Sequence, residues 1–151
     1  MKNAHGHDLR KGRFSQGQQI YLVTAVTQHR LPVFSDWKIG RKLVHELQAA
    51  DREGMCSTLA FVVMPDHFHW LLALGEQADL SDLLHLVKGR SSREIGRVTG
   101  IRGIWQQGFH DHAARFDEDI QEMARYVVAN PLRAGLVQHL GDYPLWDAIF
   151  F

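Results

Sequence analysis

The chain has 151 residues, with 17 basic side chains against 17 acidic ones, so its formal charge is zero, and 45% of it is hydrophobic. That suits one domain with a real core, and a single cysteine, Cys56, excludes an internal disulfide and fits a reducing compartment. No apolar run nears the roughly 20 residues of a membrane span, and the opening MKNAHGHDLRKGRF has no apolar stretch of the secretory kind, so a cytoplasmic protein without a membrane partner is expected.

Taken in chain order, QQIYLVTAVTQ (Gln18–Gln28) is rich in β-branched residues and predicts a first strand. Ser35 is the expected N-cap of a helix whose Ile39, Leu43, Val44 and Leu47 make one apolar stripe, closed by Gly54. Cys56 to Met64 predicts a second strand, Met64-Pro65-Asp66 a turn, and His67 to Leu74 a third strand. LSDLLHLVKGRSSREIGRVTG predicts a second helix, capped by Ser81, with Leu83, Leu84 and Val87 inward and a basic face from Lys88 to Arg97. GIWQQGFHDHAARF predicts a fourth strand or extended turn. DEDIQEMARYVVANP is the clearest helix: Asp117, Glu118 and Asp119 favour its dipole, Ile120, Met123, Ala124 and Val127 form its buried stripe, and Pro131 ends it.

The order β-α-β-β-α-β followed by a third helix predicts an α+β, ferredoxin-like or RRM-like antiparallel sheet with two helices on one face. One domain over 1–151 is expected, with a basic arm at 1–17 and a C-terminal extension at 132–151. The neutral total hides an uneven distribution. Over residues 1–41, Lys2, Arg10, Lys11, Arg13, Arg30, Lys38 and Arg41 meet only Asp8 and Asp36; over 87–102, Lys88, Arg90, Arg93, Arg97 and Arg102 meet only Glu94. Two such blocks can form one electropositive face, or two unrelated solvated surfaces.

The residues that carry chemistry cluster at the turn before the third strand. Successive strand side chains alternate faces, so His67 and His69 point one way and Phe68 and Trp70 the other; Trp70 reads as core. Two imidazoles on one face can pinch a metal ion, or can merely hydrogen-bond, and a firm site needs a further ligand. Tyr126 and Asn130, four apart on the third helix, share a face beside its apolar stripe. A tyrosine packed over a sheet and an asparagine before proline are equally ordinary, so the residues alone leave both readings open. Asp66 can orient an imidazole or serve the turn, and the turn is favoured.

Three stretches, VVMPDHFHWLLAL, IWQQGFHDHAAR and ARYVVANPLRAGLV, with LRKGRFSQGQQIYLVTAVTQHRLPVF before them, resemble the REP-associated tyrosine transposases, the single-tyrosine branch of the HUH transposases. The resemblance covers nearly the entire chain; the neutral charge and the short C-terminus, DYPLWDAIFF, depart from the wider pattern. It implies that His67 and His69 are the metal-binding pair, with Phe68 the hydrophobic residue between them, that Asn130 completes the metal site, and that Tyr126 is the nucleophile. It implies magnesium or manganese, where two imidazoles by themselves suit zinc, iron, manganese or cobalt better than magnesium. It implies a bacterial, nucleoid-associated enzyme, monomer or homodimer, that cuts and rejoins single-stranded DNA at hairpin-bearing palindromic repeats through a covalent 5′-phosphotyrosine. In that setting Lys88, Arg90 and Arg93 fit phosphate contact and Arg10, Lys11 and Arg13 a hairpin stem, while Trp105 and Gln106 pack or touch DNA. His110 and His112 form a second His-x-His, but they lie in the part similar to the family's ordinary strand. Two rival readings are a non-catalytic single-stranded nucleic-acid binder on an RRM-like sheet and a metal-dependent hydrolase that uses water, with Tyr126 a bystander.

Overall fold

A computed structural model describes residues 19–115 and 119–150. The expected basic arm at 1–17, with Arg10, Lys11 and Arg13, and the acidic Asp117 and Glu118 lie outside the described residues. Among the described residues no helix is long and apolar enough to cross a membrane.

The expected elements form in the expected order: β1 Ile20–Val26, α1 Trp37–Arg52, β2 Cys56–Met64, β3 His67–Leu74, α2 Leu80–Thr99, β4 His110–Ala113 and α3 Ile120–Val128. Two more follow, a one-turn α4 at Asn130–Arg133 and a short strand β5 at Trp146–Ala148. The five strands run β4-β1-β3-β2-β5, every pairing antiparallel. β3, buried centrally between β1 and β2, is the strand that carries both histidines.

Local signals were displaced by one or two residues where a carboxylate outcompetes a hydroxyl. Asp36, not Ser35, caps α1 by accepting from the Lys38 amide at 2.9 Å. Asp79, not Ser81, caps α2 by accepting from the Asp82 amide at 2.8 Å; a negative oxygen suits the positive end of the helix dipole better than a neutral one. α3 stops at Val128, just ahead of Pro131 as expected. Pro131 then also opens α4, since a proline at a helix's first turn lacks only an N–H that would be unpaired anyway. The buried stripe of α3 is Ala124, Val127 and Val128, with Ile120 and Met123 half-buried at its margin.

The sheet separates two environments. On one face Phe68 and Trp70 are fully buried, and Trp105 reaches from Phe68 to α2, where its indole N–H meets Ser91 Oγ at 3.1 Å. Trp70 is core, as expected, its indole N–H donating to Thr58 Oγ1 at 3.0 Å. An RRM-like binder stacks bases on exposed sheet aromatics; Phe68 and Trp70 are fully buried and offer no such platform. α3 lies on the other face, over β2 and β3. The C-terminal extension is integral to the sheet: β5 adds to the β2 edge, and Tyr143, itself buried, donates its hydroxyl hydrogen to the Val63 carbonyl.

Candidate functional site

His67 and His69 share the sheet face under α3. Their rings meet edge to face with centroids 4.9 Å apart. Register supplies their neighbours. His69 lies between Thr24 of β1 and Val62 of β2, and His67 between Val26 and Met64. Thr24 Oγ1 is 2.7 Å from His69 Nδ1, and Asp66 Oδ1 is 2.7 Å from His67 Nδ1. Each ring therefore has its Nδ1 held by an oxygen, which leaves Nε2 as the nitrogen for a ligand; the Asp66 carboxylate, which can only accept, also keeps the proton of His67 on Nδ1.

Asp66, expected to serve the turn, does more. Its carbonyl accepts from the Thr27 amide at 2.9 Å, while its carboxylate joins His67 on one oxygen and Arg30 Nη1, at 3.1 Å, on the other. Partial burial would raise this carboxyl, but the hydrogen bonds from His67 and Arg30 outweigh it and hold the group below the ordinary carboxylate range. Arg30 reaches Asp66 from a loop in which His29 and Arg30 are both left-handed, φ 56° and 52°. For residues with side chains that conformation costs on the order of 1 kcal/mol each, a strain of the kind found where a side chain must be aimed.

Burial first, then the charges of His67 and Arg133, push His69 down to about 4. It is thus neutral at physiological pH, the form that ligates a metal. The sign for stability follows. Below the unfolded pKa near 6.5 the unfolded chain takes a proton that folded His69 refuses, so stability falls as pH drops from about 6.5 toward 4, by up to about 3 kcal/mol from this group. Urea unfolding at pH 7 and pH 4.5 should show a His69→Gln variant losing less between the two than the unaltered chain; equal losses contradict the assignment.

The break at Pro131 shapes the other half of the site. Without an N–H, Pro131 cannot satisfy the Val127 carbonyl, and the Asn130 side chain does so instead, its amide nitrogen donating at 2.9 Å, with a longer 3.4 Å contact to the Tyr126 carbonyl. That turns the Asn130 side-chain oxygen into the atom available to a cation. Tyr126 is 60% exposed, so its phenol is open to a substrate. Arg133 Nη2 donates to the Tyr126 carbonyl at 2.7 Å, and its guanidinium carbon lies 3.9 Å from the centre of the Tyr126 ring.

Among the described residues no three or more His, Cys, Asp or Glu side chains gather as a metal group, so a third protein ligand to the histidine pair has to be of another kind, such as the Asn130 amide oxygen. His110 and His112 lie on the same sheet face as His67 and His69, but on β4. His110 is opposite Thr24, so β1 separates it from His69. Two inter-strand spacings amount to roughly 10 Å, too far to share one ion.

The expected DNA-contacting residues divide. Arg93 is exposed on α2. Arg90 grips Glu53, at the end of α1, with both guanidinium nitrogens at 2.8 and 3.1 Å. Lys88 donates to the Gln106 and Gly108 carbonyls, both at 2.7 Å, and burial lowers its pKa. Trp105 packs between Phe34 and Phe68, and Gln106 is exposed beside it, its amide bonded to the Val26 carbonyl. Lys88 therefore pins the 106–108 loop. Lys88→Ala is expected to cost about 2 kcal/mol, as the loss of hydrogen bonds from a charged group does, read by denaturant unfolding; unchanged stability contradicts that role. The basic residues of α1 sit apart from the histidines: Lys38, Arg41, Lys42 and His45 line a groove of about 590 Å³ with Glu46 and Glu94, in the helical layer behind the sheet.

The sequence gives no sign of Thr24 at the site, none of Arg133 beyond its place two helical turns after Tyr126, and shows Arg30 only as one charge of a basic block.

Comparison with known proteins identifies the family and the fold. The family model of IS200-like transposases matches residues 15–130. The chain is 30% identical, over 104 residues, to a REP-associated tyrosine transposase of Escherichia coli; the match covers 68% of this chain and 60% of that relative's length. A REP-associated tyrosine transposase solved bound to a REP hairpin has a similar fold, with a TM-score of 0.68 at 22% identity over 91% of this chain and 80% of the other. A crystal structure from Deinococcus radiodurans matches at a TM-score of 0.56 and 22% identity, over 81% and 97% of the two chains.

Proposed function

The chain belongs to the IS200-like transposase family, and from that premise we propose that it is a metal-dependent enzyme that cuts and rejoins single-stranded DNA at hairpin-bearing repeats, with Tyr126 as nucleophile. The observation that carries this reading is an exposed phenol on a helix packed over two imidazoles whose Nδ1 atoms are already held. The REP hairpin bound to the solved relative makes a hairpin the substrate to try first.

In the proposed reaction Tyr126 Oη attacks the scissile phosphorus in line with the 3′ oxygen. A bond forms from Oη to phosphorus, the bond from phosphorus to O3′ breaks, and its electron pair leaves on O3′, which gains a proton as the phenol loses its own. The product is a 5′-phosphotyrosine and a free 3′ hydroxyl. Because the phosphotyrosine ester keeps the energy of the broken bond, a second 3′ hydroxyl can attack its phosphorus, displace the Tyr126 phenol and rejoin DNA without ATP. An unassisted phenol titrates near 10, so positioning and charge relief have to supply most of the rate. His67 and His69, through Nε2, and the Asn130 oxygen would hold a divalent ion, magnesium or manganese, that when bound relieves charge on the phosphate and orients it. Thr24 and Asp66 keep the two imidazoles turned toward that position, and neutral His69 presents a lone pair instead of a charge. Arg93 on α2, and the arm with Arg10, Lys11 and Arg13, are proposed to meet DNA phosphates.

The test is a labelled hairpin oligonucleotide incubated with the protein and manganese and then run on a denaturing gel. A slow-migrating protein–DNA adduct on the 5′ side of the cut is expected. Cutting without an adduct favours hydrolysis by water, and binding without cutting favours a non-catalytic module.

A further inference from the structure

Arg133 is an exposed cation whose side chain is directed at one residue, Tyr126. The contact is double. Nη2 anchors to the Tyr126 backbone carbonyl while the guanidinium plane covers the Tyr126 ring, within the range where a cation is drawn to an aromatic face. The anchor is also a consequence of the fold: Pro131 restarts the helix as α4, which brings residue 133 back beside residue 126. A guanidinium has five N–H donors, and the Tyr126 carbonyl uses one, so most of them remain for another acceptor.

Those contacts fix one positive charge against the Tyr126 ring. A phosphate reached by Tyr126 Oη comes within the neighbourhood of that guanidinium. We propose that Arg133 is a catalytic residue of this chain, donating from its guanidinium to a non-bridging oxygen of the scissile phosphate while its stacking holds Tyr126 for attack. The inference rests on the reading of Tyr126 as nucleophile. Arginine suits the place better than lysine, because its planar fork can serve the Tyr126 carbonyl and a phosphate oxygen at once, where an ammonium is a point charge. As negative charge builds on the phosphate oxygens during displacement, a donor already anchored to the nucleophile's own backbone needs no rearrangement to meet it.

The experiment compares the unaltered chain with Arg133→Gln, which retains an N–H donor for the Tyr126 carbonyl and loses the charge, and with Arg133→Lys. Single-turnover adduct formation is followed on the natural hairpin oligonucleotide and on one whose scissile phosphate is a methylphosphonate, which replaces a charged oxygen with a methyl group. On the natural substrate Arg133→Gln should be slower by roughly 100-fold, the usual effect of removing one preorganised donor, with Arg133→Lys between it and the unaltered chain. DNA affinity and thermal stability should change little. On the methylphosphonate the gap between Arg133→Gln and the unaltered chain should nearly close, because the charge that Arg133 answers is absent. An unaltered rate in Arg133→Gln overturns the proposal, as does an equal slowing on both substrates, which assigns Arg133 only to holding Tyr126. If the unaltered chain forms no adduct, the Tyr126 reading falls and this inference with it; an adduct with an indifferent Arg133→Gln defeats the inference alone.

Discussion

Tyr126→Phe is expected to bind a hairpin oligonucleotide with near-normal affinity and to form neither cut product nor adduct. Phenylalanine keeps the ring that Arg133 covers and removes only a hydroxyl that faces solvent on a residue 60% exposed, so stability should shift by no more than about 0.5 kcal/mol. Cleavage should drop by on the order of 10⁴-fold or more, the scale seen when an enzyme's nucleophile is deleted. The contrast between intact binding and absent chemistry is the informative part, since a general folding defect would remove both. Band-shift titration, thermal melting and the denaturing gel on one preparation decide it. A Phe variant that still cuts makes Tyr126 a structural aromatic and ends the proposed mechanism.

His67→Ala combined with His69→Ala should abolish manganese binding by calorimetry and metal-stimulated cleavage together, with the sheet intact. Neither imidazole is needed to fill the core, which on this strand is supplied by Phe68, Trp70, Leu71 and Leu72. A milder companion tests the outer contacts: Thr24→Val removes the hydroxyl 2.7 Å from His69 Nδ1 without changing volume much, and is expected to weaken metal affinity by roughly 10- to 100-fold, as loss of a ligand's orienting partner does elsewhere. Undiminished manganese binding in the double variant would move the site to other residues, with His110 and His112 the first to examine.

Both predictions draw on a site that was half legible beforehand. The alternation of β3 showed that His67 and His69 share a face, and the helical spacing showed Tyr126 beside an apolar stripe; the family resemblance then supplied their roles. The caps went to Asp36 and Asp79 in place of Ser35 and Ser81 because neighbouring residues offered competing oxygens and sequence alone does not rank them. Pro131 predicts the stop of α3 but not the restart as α4. β5 escaped notice because Trp146–Ala148 is three residues long, too short for a period to register.

What the amino-acid order determined by itself is everything with a local period: the strands of period two, the helices of period 3.6, the two-residue turn at Pro65-Asp66, and therefore the face on which each candidate residue stands. What only the tertiary structure decided is partnership. Thr24 meets His69 across 45 residues of chain, and Arg30 meets Asp66 across 36. Lys88 closes on the 106–108 loop and Arg90 on Glu53, contacts that commit two cations from a block that looked free for DNA. The reason is physical. A hydrogen bond or ion pair depends on strand register and helix packing, which are fixed by burying the core as a whole, and no residue carries that information in its immediate neighbours.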